Sequence, residues 1–126
     1  MEAQRFPRAA RMLAARDFDA LRKNSRRIAG RHFLAEYRSN ALPLARLGLA
    51  VSRRVSKRAV QRNRLKRLVR ESFRRHLSGL PAVDVLVIAR SSAVAVDGAE
   101  LLADLAALWR RIPALKPTQP PGTIAD

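Results

Sequence analysis

The sequence predicts one small α/β (α+β) domain, a central mixed sheet with helices packed on it. Three observations lead there. Residues Val83 to Ala89 are nearly all apolar, with Val83, Val85, Leu86, Val87 and Ile88, as suits a strand covered on both faces. A strand-like run at 46–52 precedes a long stretch with apolar residues at helical spacing, and the buried run follows it. Strand, helix and strand in that order form a βαβ unit, so the second and third strands should be parallel. Finally, 126 residues suffice for one modest core and leave too little for a second.

Taken in order, residues 1–14 are basic and irregular, with Phe6-Pro7, and read as an N-terminal arm. The organised domain runs from 15 to 112. Asp17 or a neighbour can start a short helix from Arg16 to about Asn24, with Phe18 and Leu21 on one side. Asn24 to Gly30 reads as a basic turn. His32 to Arg38 alternates as a strand does: Phe33, Ala35 and Tyr37 share one face, Leu34 and Glu36 the other. Ser39 to Leu44, with Asn40 and Pro43, is a turn signal. Arg46 to Ser52 is then a second strand, expected to pair with the first as an antiparallel hairpin. Leu47, Leu49 and Val51 make one of its faces. Gly48, Ala50 and Ser52 make the other, where small side chains let another backbone approach closely. Either a packed helix or a nucleic-acid strand fits there.

After the long basic stretch, Ser78 to Pro81 breaks the chain, and Arg90 emerges at the end of the buried strand. Asp97 caps a final helix over Gly98–Ile112. Its apolar stripe is Leu101, Leu102, Leu105, Leu108, Trp109 and Ile112, and Trp109 is expected in the core. Its acids come early (Asp97, Glu100, Asp104) and its cations late (Arg110, Arg111), as the helix dipole prefers. Pro113 ends the helix, and 113–126, rich in proline, reads as a disordered tail. The chain has no internal repeat.

Charge narrows the function. Lys and Arg number 26 against 10 Asp and Glu, a net charge of +16 with a pI near 11.9. Self-repulsion on that scale destabilises a compact state, so a polyanionic partner is the expected reason for it. No run approaches the roughly 18 apolar residues of a membrane span. The N-terminal residues lack a continuous apolar segment and do not read as a secretory signal. There is no cysteine, which excludes disulfides and thiolate metal sites and fits a cytoplasmic location. His32 and His76, the only histidines, read as surface or structural residues, because no second metal ligand sits at helical spacing.

The charge concentrates between Arg53 and Arg75, where eleven Lys or Arg stand against Glu71 alone. Leu65, Leu68, Val69, Phe73 and Leu77 recur there at helical spacing, so one face is buried and the other is strongly basic. Ser56 is the expected N-cap. Lys57 and Arg58 then sit at the positive end of the dipole, where stability favours acids and a bound anion would reverse the sign. Steps of 100° place Asn63, Lys66, Arg67, Arg70 and Arg74 on one side. Arg64, Glu71 and Arg75 form a neighbouring strip. Arg58 and Arg62 fall near the apolar edge, either beyond the core contact or with stems over it and heads reaching out.

The residues suggest binding and not side-chain catalysis. No paired carboxylates, Ser/His/Asp order or Gly-rich phosphate loop stands out. A membrane-surface helix needs large apolar residues on its free face, and here the sheet claims that face. A helix-turn-helix needs a short preceding helix that is missing. RNA fits better, since exposed aromatics on a small sheet can stack unpaired bases. Phe18, Phe33 and Tyr37 are the candidates, each equally readable as core.

Beyond these physical readings, Val60-Gln61-Arg62-Asn63-Arg64-Leu65-Lys66-Arg67-Leu68-Val69-Arg70-Glu71-Ser72-Phe73 closely resembles the Arg-Asn-Arg signature of the bacterial ribonuclease P protein family. Asp17-Phe18, the run Leu47 to Val55 and the run Asp84 to Arg90 are similar to its first-helix motif, the strand leading into the signature, and its buried strand. The resemblance implies a ribosomal-protein-like fold with about four strands and a βαβ crossover. It implies a subunit that joins one large catalytic RNA and helps remove the 5′ leader of precursor tRNA, with the active site and its Mg²⁺ held mainly by the RNA. Arg53, Lys57, Arg58, Arg62, Asn63, Arg64, Lys66, Arg67 and Arg70 would then meet the catalytic RNA. Phe18 and Phe33 would line a leader cleft, with Arg90 near its edge. Leu21-Arg22 and Glu36-Tyr37 depart from the family's aromatics, so Arg22 would substitute by charge for stacking. Neither a membrane nor an obligate protein partner is implied. The alternative is a general or ribosome-associated RNA-binding structural protein.

Overall fold

The computed structural model describes Leu21 and residues 25–40, 42 and 44–112. The expected arm at 1–14, the tail at 113–126 and all but Leu21 of the expected helix at 16–24 lie outside these residues. Leu21 itself is helical and fully buried.

Four strands, β1 (Arg26–Ala29), β2 (Phe33–Ser39), β3 (Arg46–Ala50) and β4 (Val83–Ala89), form one sheet in the order β1-β2-β4-β3. β2 runs antiparallel to β1 and β4, while β3 runs parallel to β4. The helix α1 (Ala59–His76) connects β3 to β4, and α2 (Gly98–Arg111) follows β4. The expected βαβ unit is therefore present, with its strands parallel.

Two expectations need correction. The runs at 32–38 and 46–52 do not pair as a hairpin: β4 lies between them. Its seven residues are apolar except for Asp84, and a central position with a neighbour on each edge buries them best. The stretch 24–30 is not simply a turn, since Arg26–Ala29 forms the edge strand β1. Three of its four residues are exposed and two are arginines, so it carries no apolar alternation to read. Charge on an edge strand is also a common guard against pairing with another chain.

The core lies on one side of the sheet. Phe33, Ala35 and Tyr37 of β2, Leu47 of β3, and Val83, Val85, Val87 and Ala89 of β4 are buried there with Leu65, Val69 and Phe73 of α1 and Leu101, Leu105, Leu108 and Trp109 of α2. Trp109 meets Phe73 edge-on, ring centres 5.7 Å apart at 66°, a favoured aromatic geometry. Its indole N–H donates to Ser72 Oγ at 2.8 Å, so the buried polar atom is satisfied. Gly48 and Ala50 pair with Leu86 and Ile88 of β4 and alternate with the core residues of these strands, and Gly48 is buried.

α2 ties the β1–β2 turn down. Asp104 accepts the backbone N–H groups of Arg31 at 2.9 Å and His32 at 3.0 Å. A side chain at Gly30 would start 2.8 Å from both Asp104 oxygens, so a larger residue there would push the carboxylate off these two N–H groups. His32 bonds Ser92 Oγ through Nδ1 at 2.9 Å and Glu100 Oε2 through Nε2 at 2.8 Å, a structural role.

Candidate nucleic-acid interface

α1 positions most of the candidate residues. Its stripe of Leu65, Val69, Ser72 and Phe73 is buried, which turns the opposite face to solvent. Asn63, Lys66, Arg67, Arg70, Glu71 and Arg74 line an open groove of about 390 Å³ along that face. The side read from 100° steps is therefore brought together, and Glu71 from the neighbouring strip joins it.

Of those cations, Lys66, Arg67 and Arg70 pair with no acid among the described residues, whereas Arg74 is paired with Glu71. The six acids among the described residues are Glu36, Glu71, Asp84, Asp97, Glu100 and Asp104. Glu36 pairs with Arg27, Asp84 with Arg46, and Glu100 with His32. Asp97 accepts the N–H of Glu100, and Asp104 holds the β1–β2 turn. Glu71 takes Arg74 at 2.5 Å and Arg75 at 3.0 Å. None of the six pairs with a cation between Arg53 and Arg70. The hydrogen bond from Arg74, with the charges of Arg74 and Arg75, holds the Glu71 carboxyl below its ordinary value. It therefore stays ionised and cancels charge at the C-terminal end of the groove, leaving the Asn63–Arg70 end the more positive.

The helix entry differs from expectation. Ser56 is not the N-cap: Arg58 occupies that position without a side-chain cap bond. Ser56 Oγ instead accepts the Arg58 N–H at 3.1 Å and donates to Gln61 Oε1 at 2.5 Å. The hydroxyl is used in the connection before the helix, two residues too early to cap it. Arg62 runs back along this connection, and its Nη1 donates to the carbonyls of Ser56 at 2.9 Å and Lys57 at 3.0 Å. Of the two alternatives for the apolar-edge arginines, Arg62 thus has its head turned out of the core, and Arg58 lies at the end of the helix, exposed. Arg53, Arg54 and Lys57 are also exposed on the connection, which turns through a Val55 N–H to Ser52 O bond of 3.1 Å. Arg64 is exposed and reaches Val96 O at 3.4 Å.

The other candidates do not gather as expected. Phe18 and Arg22 lie outside the described residues. Phe33 has 0% exposure and Tyr37 is also buried, because the face they share is the one packed by the helices. Phe33 therefore offers no ring face to a base. Arg90 is exposed at the end of β4, its N–H bonded to His32 O at 2.9 Å. Sequence reasoning passed over Val60, 64% exposed on the first turn of α1 among cations. A single apolar residue at that spacing gives no signal by itself.

Fold and surface define a class first: a small α+β protein whose crossover helix exposes a row of cations, Lys66, Arg67 and Arg70, that no acid among the described residues pairs with. The comparisons with known proteins then fix the family. The family model described as Ribonuclease P matches residues 6–113. The chain is 45% identical over 113 residues to the ribonuclease P protein component of Chromohalobacter salexigens, covering 89% of this chain and 88% of the relative. It is 41% identical to that of Pseudomonas aeruginosa over 89% of this chain and 84% of the relative. Among solved structures, the RNase P protein of Staphylococcus aureus superposes with a TM-score of 0.77 at 32% identity, over 82% of this chain and 94% of that one. The RNase P protein of Thermotoga maritima does so with 0.75 at 33%, over 82% and 97%. The chain belongs to the ribonuclease P protein component family.

Proposed function

We propose that this chain is the protein subunit of a cytoplasmic ribonuclease P, binding its catalytic RNA along the exposed face of α1. The single observation that carries this reading is the groove of Asn63, Lys66, Arg67 and Arg70, whose cations no acid among the described residues neutralises. In water such a row would repel itself. Against RNA phosphates it releases counterions, which supplies most of the affinity and makes it fall steeply with salt. The asparagine within the row adds a donor and an acceptor for a base edge or ribose hydroxyl.

The second part of the reading is assistance to the substrate. The bound protein holds the 5′ leader of precursor tRNA and raises its affinity, while the RNA cuts the chain. Arg90, exposed on the sheet, serves that contact; Phe18 and Arg22 are assigned to it by position in the family motif. Mg²⁺ belongs with the RNA. The described acids do not fit an ion site of their own, since each is tied to an arginine, a histidine or backbone amides.

The test is leader cleavage at low Mg²⁺, with the cognate catalytic RNA and precursor tRNA. Stimulation is expected, and Arg67→Ala/Arg70→Ala should remove most of it. Absence of stimulation by the unaltered protein contradicts the reading. Equal binding to any structured RNA, with no preference for leader-bearing over mature tRNA, would favour a general RNA-binding protein instead.

A further inference from the structure

The two arginines of the Arg62-Asn63-Arg64 signature do not sit as Asn63 does. Asn63 lines the groove, whereas Arg62 is half-buried and its guanidinium is turned toward the connection between β3 and α1. That connection holds four exposed cations, Arg53, Arg54, Lys57 and Arg58, in six residues. Val51 packs against the core at its start, and within 53–58 Val55 alone does so. Its order depends on a few hydrogen bonds, and most converge on Ser56. Arg62 Nη1 takes the Ser56 and Lys57 carbonyls, Gln61 takes the Ser56 hydroxyl, and that hydroxyl accepts the Arg58 N–H.

We propose that Arg62 is a positioning residue: its Nη1 group clamps the 53–58 connection so that Arg53, Arg54, Lys57 and Arg58 are presented to RNA as a fixed extension of the α1 groove. The inference rests on α1 being the RNA-binding face and adds how one of its signature residues acts. The chemistry explains why arginine stands here. A planar guanidinium satisfies two adjacent carbonyls from one fixed plane and keeps its remaining donors free. A lysine ammonium carries the same charge on a flexible stem and loses that geometry. The clamp also uses two carbonyls that precede the helix and have no partner within it.

The consequence is separable from direct phosphate contact. A clamp acts on the free protein by keeping the connection in its binding form. If loss of the clamp leaves the connection ordered in one molecule in ten, apparent RNA affinity falls about tenfold with the charges still present. A residue that only neutralises a phosphate leaves the free protein unchanged, and its loss lowers the log–log salt slope by about 0.7 to 0.9.

The experiment compares Arg62→Lys and the charge-neutral Gln61→Ala with Arg67→Ala. Two readouts are needed: amide hydrogen exchange across 52–58 in the free protein, and affinity for the cognate catalytic RNA over a range of salt. The clamp predicts faster exchange at 52–58 in both Arg62→Lys and Gln61→Ala, with the rest of α1 unchanged. It predicts an affinity loss of about tenfold for Arg62→Lys with the salt slope shifted by less than half a unit. Unchanged exchange in Arg62→Lys, or full affinity despite faster exchange, overturns the proposal. Arg67→Ala keeps the two readings apart. If it leaves RNA affinity intact, α1 is not the RNA face, whatever the exchange data show.

Discussion

The two helices of this domain follow opposite rules. α2 is built as stability dictates. Asp97 caps it by accepting the Glu100 N–H at 2.9 Å, Glu100 sits in its first turn, and Arg110 and Arg111 close its last turn. α1 has no acid in its first turn and no side-chain cap at Arg58, and cations crowd its positive end. The same chain can place charges to suit a helix dipole and does so in α2. On the proposed reading, the departure in α1 is where the RNA supplies the missing negative charge.

The comparison can be broken most severely in the core that both helices share. Phe73→Ala removes a fully buried ring that contacts Trp109 and should cost about 3–5 kcal/mol, measured by denaturant unfolding. A loss below about 1 kcal/mol would mean that α1 is not seated as described. Ser72→Ala leaves the buried Trp109 N–H without its acceptor and should cost about 1–3 kcal/mol.

Substitutions at the helix starts sharpen the contrast. Asp97→Ala should destabilise the protein by about 1 kcal/mol with little effect on RNA affinity. Arg58→Asp gives α1 the cap and charge that α2 already has. It should stabilise the free protein by about 0.3–1 kcal/mol and weaken RNA binding. Thermal melts and salt-matched binding assays check both. Loss of stability in Arg58→Asp would remove the claim that α1 gives up dipole complementarity.

The smallest effect concerns acid. The Glu71 carboxyl is held down in the folded state, chiefly by the Arg74 hydrogen bond. A depressed folded value means its contribution is fully present above the unfolded value of 4.5 and fades as pH falls through the lower folded one. The side chain is 36% exposed, so the effect is slight. Stability curves of the unaltered protein and Glu71→Gln should draw together as the pH falls below 4.5. Curves that stay parallel through that range would show that the pair does not matter to stability.

Much of this was legible in the sequence. The apolar run of β4 gave its own bounds, Asp97 announced α2, and period-3.6 spacing found the groove residues of α1. What escaped was set by pairing across distance. β1 is two arginines, an isoleucine and an alanine at a sheet edge, and only its hydrogen bonds to β2 make it a strand. The position of β4 between β2 and β3 depends on which partner best buries its two edges, and local alternation does not carry that. Phe33 and Tyr37 had two readings until the helices were placed on their face. The heads of Arg62 and Arg64 have reach enough for solvent or backbone, and only coordinates tell which carbonyls they meet.

The most direct test follows side-chain signals of individual arginines during titration with the catalytic RNA. Nε–H resonances of Arg67 and Arg70 on α1 should shift and gain protection, while those of Arg110 and Arg111 on α2 stay in place. Movement of the α2 arginines with α1 unchanged would contradict the assignment of the RNA-binding face.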